Sequence, residues 1–180
     1  GGLSIEDTEL PRPYGPSGKA TLLSIDEGVG KMKGALAGRQ DRSLVIAGRT
    51  SAISITGLDD TIARAVAYQE AGVDAIFLVG VKTRAELEPI SQAVKVPMIL
   101  GGVGPELADL DYLSAKGVRI CLQSHQPFMA AVQATYATLK ALRDGVPTSD
   151  IEGVAPADLM QRVTRAEDYD RWTKDFLGGA

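Results

Sequence analysis

The feature that most constrains this chain is a repeated alternation of short apolar runs and helical patterns, with no hairpin signal between them. Leu3–Ile5 is followed by a loop and then by Ser24–Ala37. Leu44–Ala47 precedes Leu58–Ala71, and Ala75–Val79 precedes Arg84–Val94. Met98–Leu100 precedes Glu106–Lys116, and Val118–Leu122 precedes Pro127–Arg143. The runs are rich in Leu and β-branched residues and mostly too apolar to alternate, the pattern of parallel strands buried on both faces. Consecutive strand–helix units without hairpins require crossovers, and right-handed crossovers give a parallel sheet.

Local signals support the helices. Ser24-x-x-Glu27 and Thr83-x-x-Glu86 are capping boxes, in which a hydroxyl and a carboxylate satisfy otherwise unpaired N–H groups. Gly72 and Gly117 stand where left-handed residues close helices. Phe128, Met129, Val132, Tyr136, Leu139 and Leu142 form one stripe at helical spacing, expected to face the sheet.

Two parallel architectures compete. A doubly wound sheet lacks support, because no G-x-G-x-x-G follows the first strand. The strand starts recur near the ~30 residues per unit of a (βα)8 TIM barrel. The expected fold is therefore α/β: the C-terminal five βα units of such a barrel, plus a C-terminal helical tail. Residues 1–145 form the partial barrel and 146–180 a linker and docking helix. Pro147, Gly153 and Pro156 mark the linker, and Leu159, Val163, Tyr169, Trp172 and Phe176 are the apolar anchors of a helix over Asp158–Leu177. The chain opens Gly1-Gly2-Leu3 without Met, consistent with the C-terminal portion of a longer enzyme.

Composition excludes several classes. Among 180 residues, 19 Lys+Arg against 23 Asp+Glu give a formal charge of −4, with no basic face for nucleic acid. No apolar run reaches the ~18 residues of a membrane span. The one cysteine, Cys121, allows no internal disulfide or C-x-x-C site. A soluble, cytoplasmic protein in a reducing compartment is expected.

In barrels the chemistry sits at the C-terminal strand ends. Glu6-Asp7-Thr8, Arg49-Thr50-Ser51, Gly80, Gly101–Gly104 and Gln123-Ser124-His125 fall there. Glu6 and Asp7 are adjacent, so their side chains point to opposite faces: one toward the mouth, the other packing or capping outside. Arg49 is either a carboxylate clamp, which its planar fork suits, or half of a structural ion pair with Glu6 or a neighbouring acid. His125, the one histidine, can exchange protons near neutrality or serve as a satisfied structural residue. Cys121 reads as core rather than nucleophile. Gly101-Gly102-Val103-Gly104 is either a phosphate cradle or a tight turn opening a helix. Gly15–Ala20 lacks the spacing and the hydroxyl of a P-loop.

Ser4-Ile5-Glu6-Asp7-Thr8, Asp26–Lys33, Ala47-Gly48-Arg49-Thr50 and Tyr68–Phe77 come in an order and spacing that resembles the isocitrate lyase/phosphoenolpyruvate mutase superfamily, most of all its oxaloacetate decarboxylase branch. The resemblance implies a barrel that binds Mg2+ (or Mn2+) at its mouth and acts on a small-molecule 2-oxo acid. It implies that Glu6 holds the ion through water, and that Arg49 and His125 bind substrate and take part in catalysis. It implies that the aspartates ligating the metal directly lie upstream of Gly1. It also implies a homotetramer with exchanged C-terminal helices, a contact that Trp172 and Phe176 would suit. The lyases of the superfamily carry a Lys-Cys-Gly-His loop where this chain reads Leu10–Pro16, and a Tyr of some decarboxylases falls at Val103. The expected reaction is a Mg-dependent decarboxylation of oxaloacetate to pyruvate and CO2. The alternatives are another C–C lyase, phosphonomutase or hydrolase of the superfamily, or a non-catalytic barrel fragment with a structural role.

Overall fold

Five strands form one parallel sheet in chain order: β1 (Gly2–Glu6), β2 (Val45–Thr50), β3 (Ala75–Leu78), β4 (Met98–Leu100) and β5 (Val118–Cys121). This is a computed structural model, and it describes residues 1–11, 20–123 and 125–178. The segment compared above with the lyase loop and the P-loop lies largely in 12–19, outside the described residues, as does Ser124. The chain forms two compact units, Gly1–Ser124 and His125–Ala180. The helix after β5 falls in the second of these units.

In the first unit, helices α1 (Ile25–Gly38), α2 (Leu58–Ala71), α3 (Arg84–Ala93) and α4 (Leu110–Ala115) connect the strands. Both capping boxes form, at Ser24 with Glu27 and at Thr83 with Glu86. Gly72 closes α2 at φ +101, a conformation costly for any residue with a Cβ, and its N–H donates to the Gln69 carbonyl. The segment expected to be one helix over Glu106–Lys116 is a 3-10 turn at Pro105–Leu107 followed by α4. Asp109 makes the break, because its carboxylate accepts from the Tyr112 N–H and restarts the helix there.

The core lies between the sheet and these helices. Met32, Ala65, Tyr68, Leu87, Ile90 and Leu113 meet Ile46, Ile76, Leu78, Met98, Leu100 and Val118 in one buried cluster. The opposite sheet face carries a different set of residues. Glu6, Arg49, Phe77, Ile99 and Ile120 form a row across the sheet by register, and each is half-buried or exposed. Alternation therefore exists, with the helix-facing positions carrying the core and the other face carrying the polar strand ends.

The second unit holds α5 (Gln126–Arg143), α6 (Ala157–Val163) and α7 (Ala166–Leu177). Within this unit α5 buries none of its residues, and Phe128, Met129 and Tyr136 are exposed. Periodicity reveals an apolar face but not what covers it. The helix expected over Asp158–Leu177 is broken in two, with Arg165 in the left-handed region at φ 57. Among the described residues no helix is long and apolar enough to cross a membrane.

Candidate functional site

The sheet register brings Glu6 and Arg49 together. They are Cα partners at the C-terminal ends of β1 and β2, and Arg49 pairs in turn with Phe77 on β3. The Arg49 guanidinium lies over the Phe77 ring, 5.0 Å from its centroid, a cation–π contact that helps to place the fork. Its contact with the Glu6 carboxylate is loose, 3.5 Å with both side chains about a third exposed. Such a screened pair contributes ~0–1 kcal/mol. The plainer reading of Arg49 as a structural ion pair thus finds its partner, through Nη2. Arg49 Nε is buried and makes no hydrogen bond among the described residues. An unmade buried bond costs about 1–3 kcal/mol, a cost that binding sites carry until a ligand arrives.

Glu6 is held from two sides. Thr8 Oγ1 donates to Glu6 Oε1 at 2.8 Å, and Lys31 Nζ on α1 donates to the Glu6 carbonyl at 2.6 Å. A half-exposed carboxylate of this kind suits a divalent ion reached through water. Among the described residues no group of three or more His, Cys, Asp or Glu side chains is placed to hold a metal directly. The chemistry of the donor therefore fits the water-mediated role the resemblance implies for Glu6, and does not extend to a complete ligand cage.

Asp7 takes the other face, as strand alternation requires. It is fully buried, and its Oδ2 accepts from Tyr68 Oη at 2.7 Å and from Arg64 at 3.2 Å, both on α2. Arg64 also donates to the Leu23 carbonyl at 2.8 Å and to Asp60 at 2.8 Å. Burial first, and then the bond to Asp7, pushes the Tyr68 phenol far above its ordinary range, so it remains a donor. Sequence reading missed Arg64 and Tyr68. The signal was present in the spacing Asp60, Arg64, Tyr68, which stacks three polar residues on one face of α2.

The glycine stretch after β4 is a turn. It leads into the 3-10 helix at Pro105–Leu107. With Gly80, Val81, Lys82, Leu122 and Gln123 it lines a cleft of about 470 Å3. Gly80 sits at φ +98, where a Cβ would come within 2.2 Å of Ser54 Oγ, so the loops after β2 and β3 close only around a glycine. Cys121 is half-buried, and burial raises its thiol, which disfavours a nucleophilic thiolate. His125 belongs to the second unit, where it is the N-cap residue of α5; its ring makes no cap bond, while its carbonyl accepts from the Met129 N–H at 3.1 Å.

The carboxylates set the acid limb of stability. Desolvation, the largest single influence on Asp60, works upward, but hydrogen bonds from Arg64 and Thr56 outweigh it and hold the carboxyl below its ordinary 3.8. The Lys82 backbone N–H, ahead of desolvation and the Thr83 bonds, holds Glu86 below 4.5, and the Ser24 hydroxyl does the same for Glu27. A depressed folded-state pKa contributes stability that is complete above the unfolded value and is lost as pH falls through the folded one. The melting temperature should therefore be flat above about pH 5 and fall progressively below it; a melting temperature that holds to pH 3 in a calorimetric series would contradict these assignments.

Fold and site together define a partial (βα)8 barrel with a polar strand-end site. The family model for phosphoenolpyruvate phosphomutase matches residues 1–143. The chain is 54% identical over 177 residues to the oxaloacetate decarboxylase of Bradyrhizobium sp. (strain ORS 278), and 52% identical to that of Rhodopseudomonas palustris (strain ATCC BAA-98 / CGA009). Each match covers 98% of this chain and 61% of the relative, so the chain spans about three fifths of their length. Among solved structures it resembles a phosphonopyruvate hydrolase complexed with oxalate and Mg2+, with TM-score 0.73, 26% identity, and 98% of this chain and 62% of that one covered. It also resembles an oxaloacetate acetylhydrolase in complex with 3,3-difluorooxalacetate, with TM-score 0.75, 25% identity, and 99% and 62% covered. The chain belongs to the phosphoenolpyruvate phosphomutase family, and its five parallel strands match the C-terminal part of that barrel.

Proposed function

We propose that this protein is a lyase that decarboxylates a small 2-oxo acid, oxaloacetate above others, to pyruvate and CO2, with Mg2+ (or Mn2+) as its metal. The observation that carries the reading is the Arg49 fork at the strand ends, seated on Phe77 with a buried unpaired Nε, in a chain about half identical to oxaloacetate decarboxylases. Arg49 would bind a substrate carboxylate and hold the scissile C–C bond perpendicular to the carbonyl plane. Glu6 would orient water on the metal, itself kept in place by Thr8. Bound Mg2+ supplies Lewis-acid polarisation of the keto oxygen. For His125 the support is the resemblance alone: an imidazole there would hydrogen-bond the substrate or deliver a proton to the product carbon.

A cytoplasmic homotetramer with exchanged C-terminal helices belongs to the same proposal. The exposed apolar face of α5, and the edge-to-face pair of Tyr169 and Trp172 on α7, would suit contacts between subunits. The substrate is tested with the purified full-length protein against oxaloacetate, phosphonopyruvate, phosphoenolpyruvate and a 2,3-substituted malate. Highest kcat/KM on oxaloacetate, with pyruvate as product, is expected. A preference for phosphonopyruvate or phosphoenolpyruvate would reassign the protein to the hydrolase or mutase reaction.

A further inference from the structure

We infer that Asp7, Tyr68 and Arg64 form a buried anchor that positions the Glu6 carboxylate, making Asp7 a positioning residue of the strand-end site. The inference rests on the reading of Glu6 given under Proposed function and deepens it.

Against β2 the β1 ladder runs out at Glu6, beyond which the Asp7 N–H makes a long 3.3 Å bond to the Arg49 carbonyl. From Asp7 onward the chain leaves β2 and is held by side chains together with a short antiparallel bridge between Thr8 and Leu22. The Asp7 carboxylate ties the tip to α2 through Tyr68 and Arg64, and Arg64 ties the same point to the Leu23 carbonyl at the entrance of α1. The Leu23 N–H closes the loop by donating to the Asp7 carbonyl at 2.9 Å. Because Glu6 and Asp7 alternate, fixing Asp7 into the helix layer fixes Glu6 onto the opposite face beside Arg49. A half-ångström freedom there is enough to spoil a metal-orienting carboxylate.

Two further observations separate this role from mere packing. The phenol of Tyr68 occupies space only glycines provide: a Cβ on Gly28 would stand 2.3 Å from Tyr68 Oη, and one on Gly48 would stand 3.1 Å from Tyr68 Cβ. Moreover, Asp7 Oδ1 is buried without a hydrogen bond among the described residues. Buried ionic clusters of this kind are commonly no more stabilising than apolar side chains of the same volume. A fold selected for stability alone has no use for the carboxylate, the hydroxyl and the glycine together; a fold that must aim Glu6 does.

The test uses Tyr68→Phe, which keeps the ring, and Gly28→Ala, which displaces the hydroxyl, in the full-length protein. Amide hydrogen exchange is followed at Asp7 and Leu23 against the β3–β4 ladder, and Mg2+ alone is titrated by calorimetry. Both variants should speed exchange at Asp7 and Leu23 while leaving Ile76 protected, weaken Mg2+ binding by about tenfold, and lower kcat more than they raise KM. Unchanged exchange at Asp7 and Leu23, or unchanged Mg2+ affinity and kcat alongside a lower melting temperature, overturns the inference. If the wild-type protein neither binds Mg2+ nor releases CO2, the proposed function fails, and exchange at the β1 tip still decides the anchor.

Discussion

Replacing Arg49 with alanine should lower kcat/KM for oxaloacetate by about 100- to 1,000-fold, or ~3–4 kcal/mol of transition-state stabilisation, while hardly moving the melting temperature. The two halves of that expectation come from one geometry. The Arg49–Glu6 contact is long and a third exposed, so its loss costs the fold little. The buried Nε and the remaining guanidinium donors are what a substrate carboxylate would engage, so their loss falls on binding and on the reaction. Arg49→Lys should recover little, because an ammonium cannot present two parallel donors to a carboxylate. Steady-state kinetics and a thermal melt on the same preparations check both halves. Kinetics unchanged from wild type would remove Arg49 from the site.

Asp7→Ala should cost the fold about 3–5 kcal/mol, because it strands a buried guanidinium and a buried phenol. Arg64 is 6% exposed and Tyr68 not at all, so neither can recover its bond from solvent. Arg64 keeps Asp60 and the Leu23 carbonyl, which places the expected loss toward the lower end. Urea unfolding monitored by circular dichroism measures it as a fall in the midpoint at unchanged slope. A loss below ~1 kcal/mol would mean that Asp7 contributes no buried pairing to the fold.

Much of this was legible in the sequence because it is local. The five apolar runs became the five strands to within three residues, and both capping boxes closed. The strict alternation of a strand was enough to separate Glu6 from Asp7, and the structure places them on opposite faces. What was not legible depended on partners far along the chain. Asp7 finds Arg64 and Tyr68 through the packing of α2 on β1, which no spacing near residue 7 reveals. The α5 stripe announced an apolar face but not which surface it meets. The break at Arg165 went unseen because a non-glycine at positive φ has no sequence signature. Of the three site residues read from the sequence, the structure brings Glu6 and Arg49 together, whereas His125 begins the second unit.

The most direct test of the central claim is CO2 evolution from oxaloacetate by the full-length protein, measured with saturating Mg2+ and again after chelation. The account predicts turnover that vanishes on chelation, returns with Mg2+ or Mn2+, and is crippled in Arg49→Ala. Turnover indifferent to the chelator, or no release of CO2 at any metal concentration, would contradict it.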